Sequence, residues 1–335
     1  MPRSLWFLAL LVLATMTSQC APIPPTNLPA GPPMLPEAAL TTTDYQSFDR
    51  DRFPYTRFGK SEKPTQIIIA IHGISGAARD FNPVAEHLLP TRSDVIIYAP
   101  EVRGQGNDPI KERRGHIPNR TYWFRDLQTF TNLIRKKHPG VPIVWLGESM
   151  GSLIVLNTFA EQHRAHPQAG LPADALILSS PVVSLGDKLP FWLKWLSRLA
   201  VTFFPTAKIS LSTLSGEENT QITADATYQE QVKNNPYHID RFTLQLLDQL
   251  RQMIEAVEPQ ATAVKVPVLI LHGGKDIFSK ETEVQGFERA FTASPKVTRA
   301  YFPESHHLLF YDDGHENVIA TLGKFLETLP RSDAD

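Results

Sequence analysis

The stretch Pro142-Ile143-Val144-Trp145-Leu146-Gly147-Glu148-Ser149-Met150-Gly151-Ser152-Leu153-Ile154-Val155-Leu156 restricts the fold more than any other part of the chain. It opens as an apolar, partly β-branched run, the pattern of a buried strand. It then meets Gly-x-Ser-x-Gly, and from Ser152 to Phe159 the apolar spacing suits a helix. A strand that turns into a helix over this pattern is the context of a nucleophile elbow. The turn is so tight that Gly147 and Gly151 must lack side chains. The same tightness lifts the Ser149 hydroxyl clear of the sheet and sets the next N–H beside it.

The rest of the chain supplies strands for such a sheet. Thr42 to Phe58 predicts one or two outer strands, and Thr65 to Ile71, Asp94 to Ala99, Ala175 to Leu178, Val266 to Leu271 and Thr298 to Phe302 read as further strands. Helices are expected at Asn82 to Leu89, Tyr122 to Lys137 and Glu316 to Leu326. Continuous apolar strands alternating with helices predict an α/β fold, a mostly parallel sheet with helices on both faces. Ligands of such sheets bind beyond the carboxyl ends of the strands. Residues 41–181 and 260–335 form the expected core. Residues 182–259 break the rhythm and read as a helical cap insertion, in which Trp192, Trp195, Leu196, Leu199 and Phe203 share one helical face. That face either packs on the core or forms an apolar lid over the serine.

A serine hydroxyl needs a base within hydrogen-bond reach and a third group to orient that base. A nucleophile on this kind of turn takes its acid, and then its histidine, from later strand ends. Asp276 follows a strand and a Gly-Gly turn. Glu148 adjoins the serine but points elsewhere in elbow geometry, so Asp276 is the expected acid. His306 and His307 both follow the last strand, and local sequence does not separate them. The amide of Met150 is one expected oxyanion donor, and the loop His72-Gly73-Ile74 supplies the other, at Ile74. His72 lies upstream of the serine and is expected to brace that loop.

Taken as a set, His72-Gly73, Arg103-Gly104-Gln105-Gly106, Gly147-Glu148-Ser149-Met150-Gly151, Leu178-Ser179-Ser180-Pro181 and the Gly-Gly-Lys-Asp276 turn resemble the α/β-hydrolase fold. More narrowly they resemble its monoacylglycerol lipase and lysophospholipase group, which is also grouped with serine aminopeptidases. The resemblance covers about Asp44 to Leu329 and extends to the cap around Phe204-Pro205 and Asn235-Pro236. In this family the catalytic histidine is commonly followed five residues later by an acid. Asp312 stands in that relation to His307, so the resemblance implies Ser149, Asp276 and His307 as the triad. The aromatic cap points to a single-chain lipid ester as substrate, and neither a cofactor nor a metal is expected. Ser152 departs from a usual glycine and Gln105 from a usual histidine; neither change removes a catalytic group. Acyltransfer or aminopeptidase chemistry on the same triad is the alternative, with Glu217 and Glu218 as candidate amine-binding acids. A surface-tethered binding module is a further alternative, although it would not need all three groups.

Residues 1–20 read as an export signal: Arg3 gives a positive end, and Leu5 to Met16 is mostly apolar but too short to span a bilayer. Cys20, the single cysteine of the chain, stands where bacterial lipoproteins carry their lipid. It is preceded by Thr-Ser-Gln rather than Leu-Ala-Gly. The two expectations are a periplasmic or membrane-anchored lipoprotein and a secreted protein with an incidental cysteine. Residues 21–40, rich in proline, read as a semi-rigid linker. A lone cysteine excludes an intrachain disulfide, and a net charge of −2 gives no reason to expect a nucleic-acid partner. His163 and His166 lie at helical spacing without a zinc motif around them and read as a solvated face.

Overall fold

Ile67, Ile69 and Ile71 face one side of the central sheet, while Ile68 and Ala70 face the other. Side chains alternate along a strand, so a strand buried on both faces must be apolar throughout. The computed structural model describes residues 38–184, 199–210, 223 and 238–332. Its sheet has eight strands: β1 (Asp44–Gln46), β2 (Arg52–Phe58), β3 (Gln66–Ile71), β4 (Val95–Pro100), β5 (Ile143–Glu148), β6 (Ala175–Ser179), β9 (Val268–Gly273) and β10 (Val297–Phe302). They lie in the order β1-β2-β4-β3-β5-β6-β9-β10. β2 runs antiparallel to β1 and β4, and every pairing from β4 to β10 is parallel. Two further strands among the described residues, β7 (Lys208–Ser210) and β8 (Arg241–Thr243), pair with each other.

Helices cover both faces, as the alternation predicts. Helix α1 (Asn82–Leu88) puts Val84 and Leu88 into the core on one face. Helices α2 (Thr121–Lys137) and α3 (Met150–Ala165) fill the other face with Phe130, Leu153 and Phe159. Within the span read as an insertion, α4 (Leu244–Glu255) and the start of α5 (Val257–Ala261) also join that second core, through Leu246, Met253 and Val257. Helix α6 (Glu281–Arg289) adds Val284 and Phe287 there, and α7 (His315–Glu327) returns to the first face with Val318 and Leu322.

Residues 199–203 are helical and end at exposed Phe203 and Phe204. The rest of the expected aromatic cap face, Trp192, Trp195 and Leu196, lies outside the described residues. So do the export signal with Cys20, most of the linker, Asn235-Pro236, and Glu217 and Glu218.

Candidate active site

Ser149 occupies the turn between β5 and α3 with φ 52° and ψ −116°, a left-handed backbone that a residue with a Cβ adopts only under strain. Such a conformation costs on the order of 1–3 kcal/mol and persists only where surrounding structure enforces it. The enforcement is steric. A Cβ on Gly151 would lie 1.9 Å from the Ile71 carbonyl oxygen, and one on Gly147 would lie 2.4 Å from the Gly151 carbonyl carbon. The strand and helix thus approach at the two glycines and leave the serine at the apex. Its amide donates to the Ser179 carbonyl at 2.9 Å. Ser152, in place of a glycine, donates from its hydroxyl to the Gly147 and Ser179 carbonyls at 2.7 and 3.0 Å, pinning the first turn of α3 to β5 and β6.

Two strand ends, those of β9 and β10, bring the other groups to that apex. The Ser149 Oγ lies 2.8 Å from His307 Nε2, and His307 Nδ1 lies 2.9 Å from Asp276 Oδ2. Asp276 and His307 are both buried at the side chain. Burial alone would raise the Asp276 carboxyl. The charge and hydrogen bond of His307 and the Phe278 amide outweigh it and hold the carboxyl below its usual value. An ionised Asp276 only accepts, so Nδ1 carries the proton and Nε2 is left to accept from the serine hydroxyl. The Gly273-Gly274 turn permits this approach: a Cβ on Gly273 would lie 2.4 Å from the His306 carbonyl oxygen, and one on Gly274 would lie 2.4 Å from that of Pro303. Two further contacts hold the histidine. The Ser180 hydroxyl donates to its carbonyl at 2.6 Å, and the Phe278 ring meets the imidazole edge-on, 4.6 Å between centroids.

His306 belongs to a second pair. Asp312 Oδ2 accepts from the His306 backbone amide and lies 3.0 Å from its Nδ1, while Oδ1 accepts from the Thr223 hydroxyl at 3.1 Å. The acid five residues after His307 therefore bonds the neighbouring imidazole. His307 has its carboxylate from Asp276 instead.

The loop after β3 comes within reach of the serine because Gly73 has no side chain: a Cβ there would lie 3.3 Å from Ser149 Cβ. Ile74 and Met150, the expected oxyanion donors, flank this approach, half-buried and buried respectively. The loop is held from several sides. The Ser75 amide donates to Gln105 Oε1 at 2.9 Å. The Ser75 hydroxyl donates to the Ile239 carbonyl at 2.7 Å and accepts from the Ile239 amide at 3.0 Å. His72 braces it too: Nδ1 bonds the Gly73 carbonyl at 2.9 Å, and Nε2 accepts from the Val102 amide at 3.0 Å. Two residues before Gln105, the buried Arg103 guanidinium is shared between Asp126 (2.7 and 2.8 Å), Asp49 and Asp51. Buried charges of this kind are tolerated only when paired. The Arg-Gly-Gln-Gly segment is thus a brace behind the loop rather than a source of reacting groups.

Glu148 takes no part in the hydrogen bonds that link Ser149, His307 and Asp276. It is buried, its Oε1 has no hydrogen-bond partner among the described residues, and burial with the nearby Asp80 carboxylate pushes its pKa up to about 8. Sequence reasoning misses the parts played by Ser180, Phe278 and the His306–Asp312 pair. Ser180 stands in the Ser-Ser-Pro segment, where its left-handed φ of 45° leaves no signal of its own.

A hydroxyl, an imidazole and a carboxylate in this order can transfer a proton from the alcohol as it attacks and return it to a leaving group. The comparisons with known proteins point the same way. The family profile described as serine aminopeptidase S33 matches residues 62–314. The phospholipase YtpA of Bacillus subtilis is 23% identical over 269 residues, covering 80% of this chain and 97% of that protein. A monoacylglycerol lipase of Mycolicibacterium smegmatis is 23% identical over 226 residues, covering 67% of this chain and 75% of its own length. Among solved structures, a soluble variant of monoglyceride lipase from Saccharomyces cerevisiae, in complex with a substrate analogue, superposes with a TM-score of 0.71 at 21% identity. That match covers 87% of this chain and 97% of the yeast chain.

Proposed function

The chain belongs to the serine aminopeptidase S33 family of α/β-hydrolases, and from that premise we propose that it cleaves carboxylic esters of single-chain lipids through an acyl-enzyme. The observation that carries the reading is the hydrogen-bonded series Ser149–His307–Asp276. Ser149 Oγ attacks the ester carbonyl while His307 Nε2 takes its proton. The amides of Met150 and Ile74 stabilise the oxyanion, and the protonated His307 then gives its proton to the leaving alcohol. Water, deprotonated by the same imidazole, releases the acyl group. Asp276 keeps the imidazole in the required tautomer and stabilises its positive charge.

The lipid preference rests on apolar surface at the site. Ile277 and Phe278, directly after the acid, are exposed, and Phe278 lies against the catalytic imidazole. Exposed side chains of this size beside a reactive centre suit an acyl chain. The names of the relatives, a phospholipase and a monoacylglycerol lipase, support the same class. A panel of p-nitrophenyl esters tests it. Each buried methylene is worth up to about 0.8 kcal/mol, about fourfold in kcat/KM. The expected profile therefore rises steeply from acetate toward medium chains. A flat profile from a folded enzyme, or a preference for aminoacyl anilides, would remove the lipid reading. Addition of glycerol distinguishes hydrolysis from acyl transfer by its product.

We also propose that residues 1–20 direct export and that Cys20 then carries an acyl anchor, which would bring the site to a membrane surface. The mature protein is expected to begin at a diacylated Cys20 by mass spectrometry. An unmodified N-terminus would assign the free secreted form instead.

A further inference from the structure

Helices α1 and α7 pack side by side on the sheet face opposite α3, through Leu88, Leu322 and Phe325; a Cβ on Gly323 would lie 3.3 Å from Leu88 Cδ1. At one end of this pair His87 of α1 meets His315 and Glu316, the first residues of α7. One ligand-competent atom from each lies within 4.8 Å of the others. His87 Nε2 is 3.7 Å from Glu316 Oε1, and the two imidazoles stand edge to face with centroids 4.9 Å apart.

The hydrogen bonds at Nδ1 of both rings give this cluster its chemistry. His87 Nδ1 is 3.0 Å from the Pro83 carbonyl, and His315 Nδ1 is 3.0 Å from the Asp312 carbonyl. A carbonyl oxygen only accepts, so both Nδ1 atoms must carry hydrogen. In the neutral rings the Nε2 lone pairs are then the positions left for a ligand bond, and that of His87 lies 3.7 Å from the Glu316 carboxylate. An outer carbonyl that fixes tautomer and ring orientation is the usual support of a metal-bound histidine. Glu316 alone would be explained by the positive end of α7. That role does not require two imidazoles with matched tautomers beside it.

We propose that His87, His315 and Glu316 form a binding site for a first-row divalent cation, with Zn²⁺ as the reference ion. Two imidazoles and one carboxylate suit zinc, copper or nickel and disfavour magnesium and calcium, which prefer all-oxygen shells. Ligand bonds of about 2.0–2.2 Å to zinc place tetrahedral donors roughly 3.3 Å apart. The 3.7 Å pair needs only a small adjustment, and His87 and Glu316 are exposed enough to make the rest by side-chain rotation. The fourth position is left to water. A bound ion would cross-link α1 to the segment that follows His307, since His315 holds the Asp312 carbonyl and the Asp312 carboxylate holds His306. The ion braces that loop from outside and takes no part in the reaction.

The test is calorimetric titration of ZnCl₂ into the chelator-treated full chain, with a parallel melting curve. One ion per chain and a Tm rise of a few degrees are expected. His87→Ala and His315→Ala should each weaken binding at least tenfold and abolish the Tm rise. His163→Ala and substitution of Mg²⁺ for Zn²⁺ serve as controls: the first should leave binding intact, and the second should show none. Equal apo-state melting of His87→Ala and the parent separates lost binding from lost folding. His315→Ala, read by the same titration, gives an independent result if it does not. Absence of saturable binding overturns the proposal. So does binding that survives both histidine variants, or that is lost in His307→Ala instead, which would place the ion on the triad.

Discussion

Exchanging Ser149 for alanine is expected to lower kcat/KM for a preferred ester by about 10⁴–10⁶-fold while leaving the melting temperature within a degree or two of the parent. The two readouts separate because the turn is enforced by groups other than the hydroxyl. The close approach at Gly147 and Gly151, the Ser149 amide on the Ser179 carbonyl and the Ser152 hydroxyl on two carbonyls all survive the change. Alanine also bears the same φ penalty as serine, so no new strain enters. What is lost is the atom proposed to attack, together with one hydrogen bond to His307. His307→Ala should fall to nearly the same floor, because nucleophile and base act as a unit and removing either stops the covalent step. A fluorophosphonate probe supplies an independent readout: it should label the parent and not Ser149→Ala. Turnover by Ser149→Ala above about one per cent of the parent, after contaminating esterase is excluded, would mean that the reaction runs through another group.

The parts legible in the sequence are those set by local sterics or by continuous burial. The elbow can be read because its strain admits glycine at two fixed positions. The parallel strands β3, β4, β5, β6 and β9 can be read because both of their faces are buried; their ends differ by one or two residues, as with Val266 to Leu271 against an observed Val268–Gly273. Helix α6 gives little signal, since only Val284 and Phe287 of its nine residues are buried. Helix α4 and the start of α5 fall in the span that reads as an insertion, yet their apolar side chains complete the core against α3. The histidine loop shows the limit most clearly. His306 and His307 are adjacent and identical, and only the fold assigns each its own carboxylate: Asp312 to one, Asp276 to the other. The pairing of His87 with His315 is illegible for the same reason, because a site made from opposite ends of a domain leaves no spacing to recognise.

Replacing Glu148 with glutamine is expected to stabilise the protein at alkaline pH and not at acid pH. Burial, with a further contribution from Asp80, raises the Glu148 carboxyl from the usual 4.5 to about 8. In the folded chain it therefore holds its proton at neutrality, whereas in the unfolded chain it releases the proton above about pH 4.5. Between those values the folded state binds more protons than the unfolded state, so stability falls as pH rises through the window. Above about 8 both states are ionised and the slope ends. Each pH unit across that window removes about 1.4 kcal/mol, so this one group costs on the order of a few kcal/mol at about pH 8.5 relative to about pH 4. Glutamine fills the same space, bears no charge, and gives a site with an unpartnered Oε1 nothing to ionise. Melting curves at intervals from about pH 5 to 8.5 should run together at the acid end, or with the variant slightly lower for its unpaired amide. They should diverge by several degrees in favour of Glu148→Gln at the alkaline end. A constant difference across the range would mean that Glu148 ionises alike in the folded and unfolded chains. The strand end beside Ser149 would then be wetter than its burial implies, and the low-dielectric surroundings that would strengthen the proposed oxyanion donors would have to be reconsidered with it.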